Sequence, residues 1–115
     1  MKKIMISGSM SMSEKMKSVA KALTEMGFTV VVPRDIDWEN IPQAEIKARK
    51  KELSMEYFRE IAGGDTCAVL VVNDKKGEIE NYIGASAFAE LALAFYFGKR
   101  IYVLNEMYGL SRYNR

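Results

Sequence analysis

Residues 2–33 read KKIMISGSMSMSEKMKSVAKALTEMGFTVVVP, and this stretch decides the fold. Lys2 to Ile6 is a short strand-like run that stops at Ser7-Gly8-Ser9, the pattern of a strand entering a tight turn. Behind the turn, Met16, Val19, Ala20 and Leu23 recur at i, i+3, i+4 and i+7. That is the buried stripe of an amphipathic helix, which Ser11 or Ser13 can cap and Gly27 can end. Thr29 to Val32 is a β-branched run closed by Pro33. A strand, a helix and a strand in one sheet imply a right-handed crossover and parallel strands.

The rest of the chain extends this unit. Arg34 to Asn40 is polar, carries Trp38 and shows neither alternation nor helical period, so it reads as a loop placed to cover a site. Pro42 fits the first turn of a helix that runs to about Ala62, with Ile46, Leu53, Tyr57 and Ile61 near one face and Gly63-Gly64 at its end. Within it Lys47 to Glu52 is heavily charged, either a solvated face or a surface for a second subunit. Thr66 to Val72 is an uninterrupted apolar run, as expected of a central parallel strand covered on both faces. Asn73 to Tyr82 is a polar loop, Gly84 to Gly98 a helix apolar almost all round, Arg100 to Leu104 a last strand, and Asn105 to Arg115 an irregular tail. One α/β domain over residues 1–115 follows. It is a small doubly wound, Rossmann-like or flavodoxin-like open parallel sheet of four to five strands with helices on both faces.

Composition excludes much chemistry. At 115 residues, 49% hydrophobic and 28% charged, the chain has the balance of one ordinary globular domain. Its 17 Lys and Arg are interspersed with 15 Asp and Glu for a net charge of +2, which argues against a nucleic-acid partner. Without histidine and with one cysteine, the usual structural zinc sets and any Ser-His or Cys-His pair are excluded, and neither metal nor cofactor is expected. Cys67 lies in an apolar run and reads as a buried inert thiol. No apolar stretch approaches the roughly 18 residues of a membrane span, and the N-terminal run is too short for a signal-peptide core, so a cytoplasmic location with no membrane partner is expected.

In open parallel sheets, ligands bind outside the carboxyl ends of the strands. That edge gathers Ser7 to Met10, Pro33 to Asp37, Asn73 to Tyr82 and Asn105. The serine-rich loop Ser7 to Ser13 either holds an anion with its N–H and hydroxyl groups or merely turns and caps. It lacks both the G-x-G-x-x-G and the G-K-[ST] patterns. Glu90 is the only ionisable residue, tyrosines aside, between Glu80 and Lys99, with Ser86 one turn earlier on the same face. A carboxylate among apolar neighbours is costly to bury unless it is paired, so it is either a functional group or part of a solvent stripe.

Met5-Ile6-Ser7-Gly8-Ser9, Gly64-Asp65-Thr66 before the valine-rich strand, and Ala89-Glu90-Leu91-Ala92-Leu93-Ala94 followed by Gly98-Lys99-Arg100-Ile101 resemble one family. It is the nucleoside 2-deoxyribosyltransferase superfamily, which includes the deoxynucleoside 5'-monophosphate N-glycosidases. The resemblance implies Glu90 as the nucleophile that attacks the anomeric carbon, with Ser7, Gly8, Ser9, Met10, Asn73, Gly84 and Ser86 binding a nucleoside or nucleotide substrate. It makes Asp65 the strand-opening aspartate. The family usually carries a catalytic aspartate eight residues before that position, and here Tyr57 stands there. Glu56 points about 100° away on a helix, so Asp74, Glu78 and Glu80 on the loop are the remaining candidates for the acid. Two readings stay open, a deoxyribosyltransferase or N-glycosidase and a non-catalytic nucleotide-binding module. A homodimer or larger homo-oligomer is expected, built on the helix at Gly84 to Gly98, because Leu93, Tyr96 and Phe97 are left uncovered if its other side packs on the sheet. Family members complete each site from a neighbouring subunit, a role that would fall to Asn105 or the tail.

Overall fold

The computed structural model describes residues 2–105. Strands β1 (Lys3–Ser7), β2 (Thr29–Val31), β3 (Thr66–Val71) and β4 (Arg100–Val103) pair in parallel in the order β2-β1-β3-β4. Helices α1 (Ser13–Glu25), α2 (Gln43–Ala62) and α3 (Ala85–Tyr96) connect them. The chain steps from β1 outward to β2, then returns past β1 to β3, so the winding reverses at β1. This is the small doubly wound α/β architecture, with four strands among the described residues. Residues 106–115 of the expected tail lie outside the described residues.

Side chains alternate across each strand, and the alternation builds two cores. Val31, Met5, Val69 and Ile101 stand in register across all four strands and pack with Ile61 of α2 and Ala94 of α3. On the opposite face Ile6 and Val72 pack with Met16 of α1, flanked by Val30, Val32 and Leu70. β1 and β3 are thus covered on both faces, which is why both read as nearly continuous apolar runs.

Three local expectations change. Ser9 caps the first turn, not Ser11 or Ser13: its Oγ accepts from the Ser11 N–H at 3.4 Å, and its carbonyl accepts from the Met12 N–H at 2.8 Å. A single 3₁₀ turn, Met10–Met12, precedes α1, so the cap moves upstream. Gly27 does end α1, at φ +97°, a left-handed conformation that favours glycine. Cys67 is half-buried rather than enclosed.

The third change concerns the rotation of α3. Its inward stripe is Ala87, Glu90, Leu91 and Ala94, with Leu93 half-buried against the core. Phe88, Phe95 and Tyr96 are 64%, 77% and 80% exposed and share the outer face with Ala92, while Phe97 just beyond is also exposed. Small inward residues let α3 lie close to the sheet and to α2, and the large aromatics are turned outward. No helix among the described residues is long and apolar enough to cross a membrane.

Candidate functional site

The rotation of α3 places Glu90 inside. The wholly apolar stripe Phe88, Leu91, Ala92 and Phe95 was available to the same helix one residue further on. The chain instead buries the stripe that contains its one carboxylate, with Glu90 only 9% exposed. Burial pushes the Glu90 carboxyl up to about 7, and a hydrogen bond from Ser7 partly opposes that rise. Ser7 is the last residue of β1, fully buried, and its Oγ–H donates to Glu90 Oε1 at 2.6 Å.

Glu90 faces a cavity of about 540 Å³, inside the size range of small-molecule sites. Gly8 and Met10 from the loop after β1 contribute to its lining, with Ser86 and Glu90 from α3. Val31, Val32, Pro33 and Arg34, at and beyond the end of β2, form another wall, extended by Trp38. α2 closes it with Lys50, Leu53, Ser54, Glu56, Tyr57 and Glu60. Space beside Gly8 is tight: a Cβ there would come 3.0 Å from Met16 Sδ and 3.3 Å from the Val72 carbonyl oxygen.

Tyr57 occupies the position where the resemblance expects an aspartate, and it has a structural occupation. Its O–H donates to the carbonyl of Ile6 at 2.5 Å and stands 3.2 Å from that of Val31, tying together the ends of β1 and β2. Burial, with Glu90 and Glu60 nearby, holds the phenol well above its ordinary range, so it stays protonated. It fixes the strand end on which Ser7 sits.

The expected site residues separate into two groups. Gly8, Met10, Ser86 and Glu90 are brought together in the cavity, and Ser7 supports them from behind. Ser9, Asn73 and Gly84 are not in its lining. Ser9 caps its turn, and Gly84 is the N-cap residue of α3, packed beside the Tyr82 ring. Asn73 is fully buried and clamped to Asn105 by three hydrogen bonds of 2.8, 2.9 and 3.0 Å, which occupies Asn105 as well. Asp65 lies at the amino end of β3, opposite the cavity edge, and pairs with Lys3 at 3.6 Å.

Of the loop carboxylates, Asp74 accepts from the Lys75 N–H, Glu80 pairs with Lys75 at 3.6 Å, and neither they nor Glu78 reach the cavity. The carboxylates that do are Glu56, paired with Arg34 at 3.5 Å, and Glu60, for which no ion pair is formed among the described residues. Sequence reasoning set Glu56 aside and passed over Glu60. Their i, i+4 spacing about Tyr57 was the signal, because residues four apart share a helix face.

A largely buried carboxylate, held by one hydroxyl and facing a cavity with further carboxylates on its wall, can attack or stabilise an electron-poor carbon. Compared with protein-family models, curated proteins and solved structures, the chain finds no match, and the site is read from its own geometry.

Proposed function

We propose that the protein cleaves or transfers the N-glycosidic bond of a deoxynucleoside or deoxynucleotide, with Glu90 as nucleophile. The observation that carries this reading is the buried Glu90 carboxyl, pinned by Ser7 and facing the cavity. The resemblance around Glu90 supplies the substrate class. In the first step a Glu90 carboxylate oxygen bonds to the anomeric carbon and the bond from that carbon to the base nitrogen breaks. Its electron pair leaves with the base, which takes a proton from an acid on the cavity wall. Glu60 fits that role better than the loop carboxylates. Water or a second base then attacks the same carbon, and the ester bond to Glu90 breaks. Two displacements retain the configuration of the sugar.

Incubation with deoxynucleoside monophosphates, and with deoxynucleosides plus a free base, tests the reading. Base release or exchange that is lost in Glu90→Gln is expected. No turnover in either panel overturns it. A second reading, a nucleotide-binding module without catalysis, is favoured by Tyr57 in place of a carboxylate. Calorimetric binding without turnover selects it.

We also infer that two copies associate through the outer face of α3. Phe88, Phe95 and Tyr96, with Ala92 between them, form a contiguous apolar surface, of the kind that monomers seldom leave in water.

A further inference from the structure

Trp38 is the only tryptophan of the chain, and it belongs to neither hydrophobic core. It is half-buried in a short 3₁₀ turn, Trp38–Asn40, in the loop between β2 and α2. The turn is held in shape: the Asn40 side-chain amide donates to the Asp37 carboxylate at 2.5 Å, and the Ile41 N–H donates to the Trp38 carbonyl at 3.2 Å. The indole lines the same cavity as Glu90, next to the aliphatic wall of Val32, Pro33 and Leu53. Lys50 Nζ stands over the ring at 5.4 Å from its centroid, so one π face already holds a cation. Arg34 and Glu56 line this cavity too, a donor and an acceptor 3.5 Å apart.

A large aromatic held in a built turn, outside the core and inside a cavity, has a flat surface to offer a flat ligand. We propose that Trp38 is the platform on which the heterocyclic base stacks, with the Arg34–Glu56 pair facing the polar edge of that base. The proposal rests on the nucleotide reading of the site and divides the cavity into two parts. The sugar lies toward Glu90, and the base lies against Trp38. A purine edge bearing adjacent acceptors and donors, as in guanine, matches a guanidinium beside a carboxylate. Lys50 gives way to the incoming ring, which its long side chain permits.

Emission from the single tryptophan reads the proposal directly and does not depend on catalysis. The protein is titrated with deoxyguanosine 5'-monophosphate and with 2-deoxyribose 5-phosphate, following fluorescence in parallel with calorimetry. Quenching that saturates with the calorimetric isotherm is expected for the nucleotide and not for the sugar phosphate. Trp38→Phe keeps the affinity, whereas Trp38→Ala weakens nucleotide binding about tenfold or more and leaves the sugar phosphate unaffected. Nucleotide binding with unchanged emission, or an undiminished affinity in Trp38→Ala, overturns the proposal. So does equal quenching by the sugar phosphate. Binding and quenching without base release leave the stacking platform standing and remove only the catalytic reading. If neither ligand binds, the nucleotide reading falls, and the platform with it.

Discussion

At Glu90 stability and chemistry make opposite demands on one proton. The carboxyl titrates at about 7 in the folded protein against an ordinary value of 4.5, so the folded state holds this proton more tightly than the unfolded chain does. The stabilisation is complete below about pH 4.5 and is lost as pH rises through 7, a difference of about 3 kcal/mol. Glu90→Gln, which has no charge to bury, is therefore expected to unfold at higher denaturant than the parent at pH 8 and to differ by less than about 1 kcal/mol at pH 5. Urea titrations at the two pH values check this. A nucleophile must be ionised, so kcat/KM of the parent is expected to rise with pH along a limb centred near 7 and to level off above it. Ser7→Ala removes the side-chain donor that, among the described residues, lowers the Glu90 value. The limb then moves to higher pH, and at pH 8 the loss of a donor to a buried carboxylate costs about 1–3 kcal/mol. A pH–rate profile in which Ser7→Ala overlays the parent would show that the hydroxyl does not govern the carboxyl.

The elements explain which features were legible beforehand. Parallel pairing and the interior place of the third strand followed from a β-α-β unit and an uninterrupted apolar run, because period 2 and period 3.6 leave different marks on a sequence. The rotation of α3 was not legible. By hydrophobicity the stripe through Phe88 outranks the stripe through Ala87, which carries Glu90, yet the buried stripe is the one whose small Ala87 and Ala94 let the helix lie close to its neighbours. Ser9, Asn73 and Gly84 were assigned through the resemblance, and a position in a motif cannot tell a residue that lines a cavity from one that caps a turn or clamps a loop. The tertiary role of Tyr57 was equally hidden, because its acceptors Ile6 and Val31 are far away in the chain. Tyr57→Phe keeps the ring but leaves those carbonyls without the hydroxyl, and is expected to cost about 1–2 kcal/mol with an unchanged far-ultraviolet spectrum. Tyr57→Asp, the substitution that would restore the family pattern, removes the ring and adds a like charge near Glu90. A loss on the order of 3 kcal/mol or more in urea denaturation is expected, with no gain of hydrolysis.

Over the whole molecule, the outer face of α3 and the cavity set the behaviour in solution. Phe95 is the residue to test association, because it is 77% exposed, whereas Leu93 is half-buried and its replacement would disturb the core. Sedimentation at micromolar concentration is expected to show a dimer for the parent and a 13.0 kDa species for Phe95→Glu with its melting profile otherwise cooperative. A parent that sediments only as the single chain overturns the association. The cavity draws its walls from residues 8–10, 31–38, 50–60 and 86–90, segments that meet only when the sheet and two helices are assembled. No single element of the chain carries the site, so occupancy is linked to folding. Any compound that fills the cavity must raise the melting temperature, by about 2.7 kcal/mol of added stability at a hundredfold excess over its Kd. The protein thereby acts as its own thermometer for ligands, and heating it beside a panel of bases, nucleosides and nucleotides ranks them without any assay of the reaction.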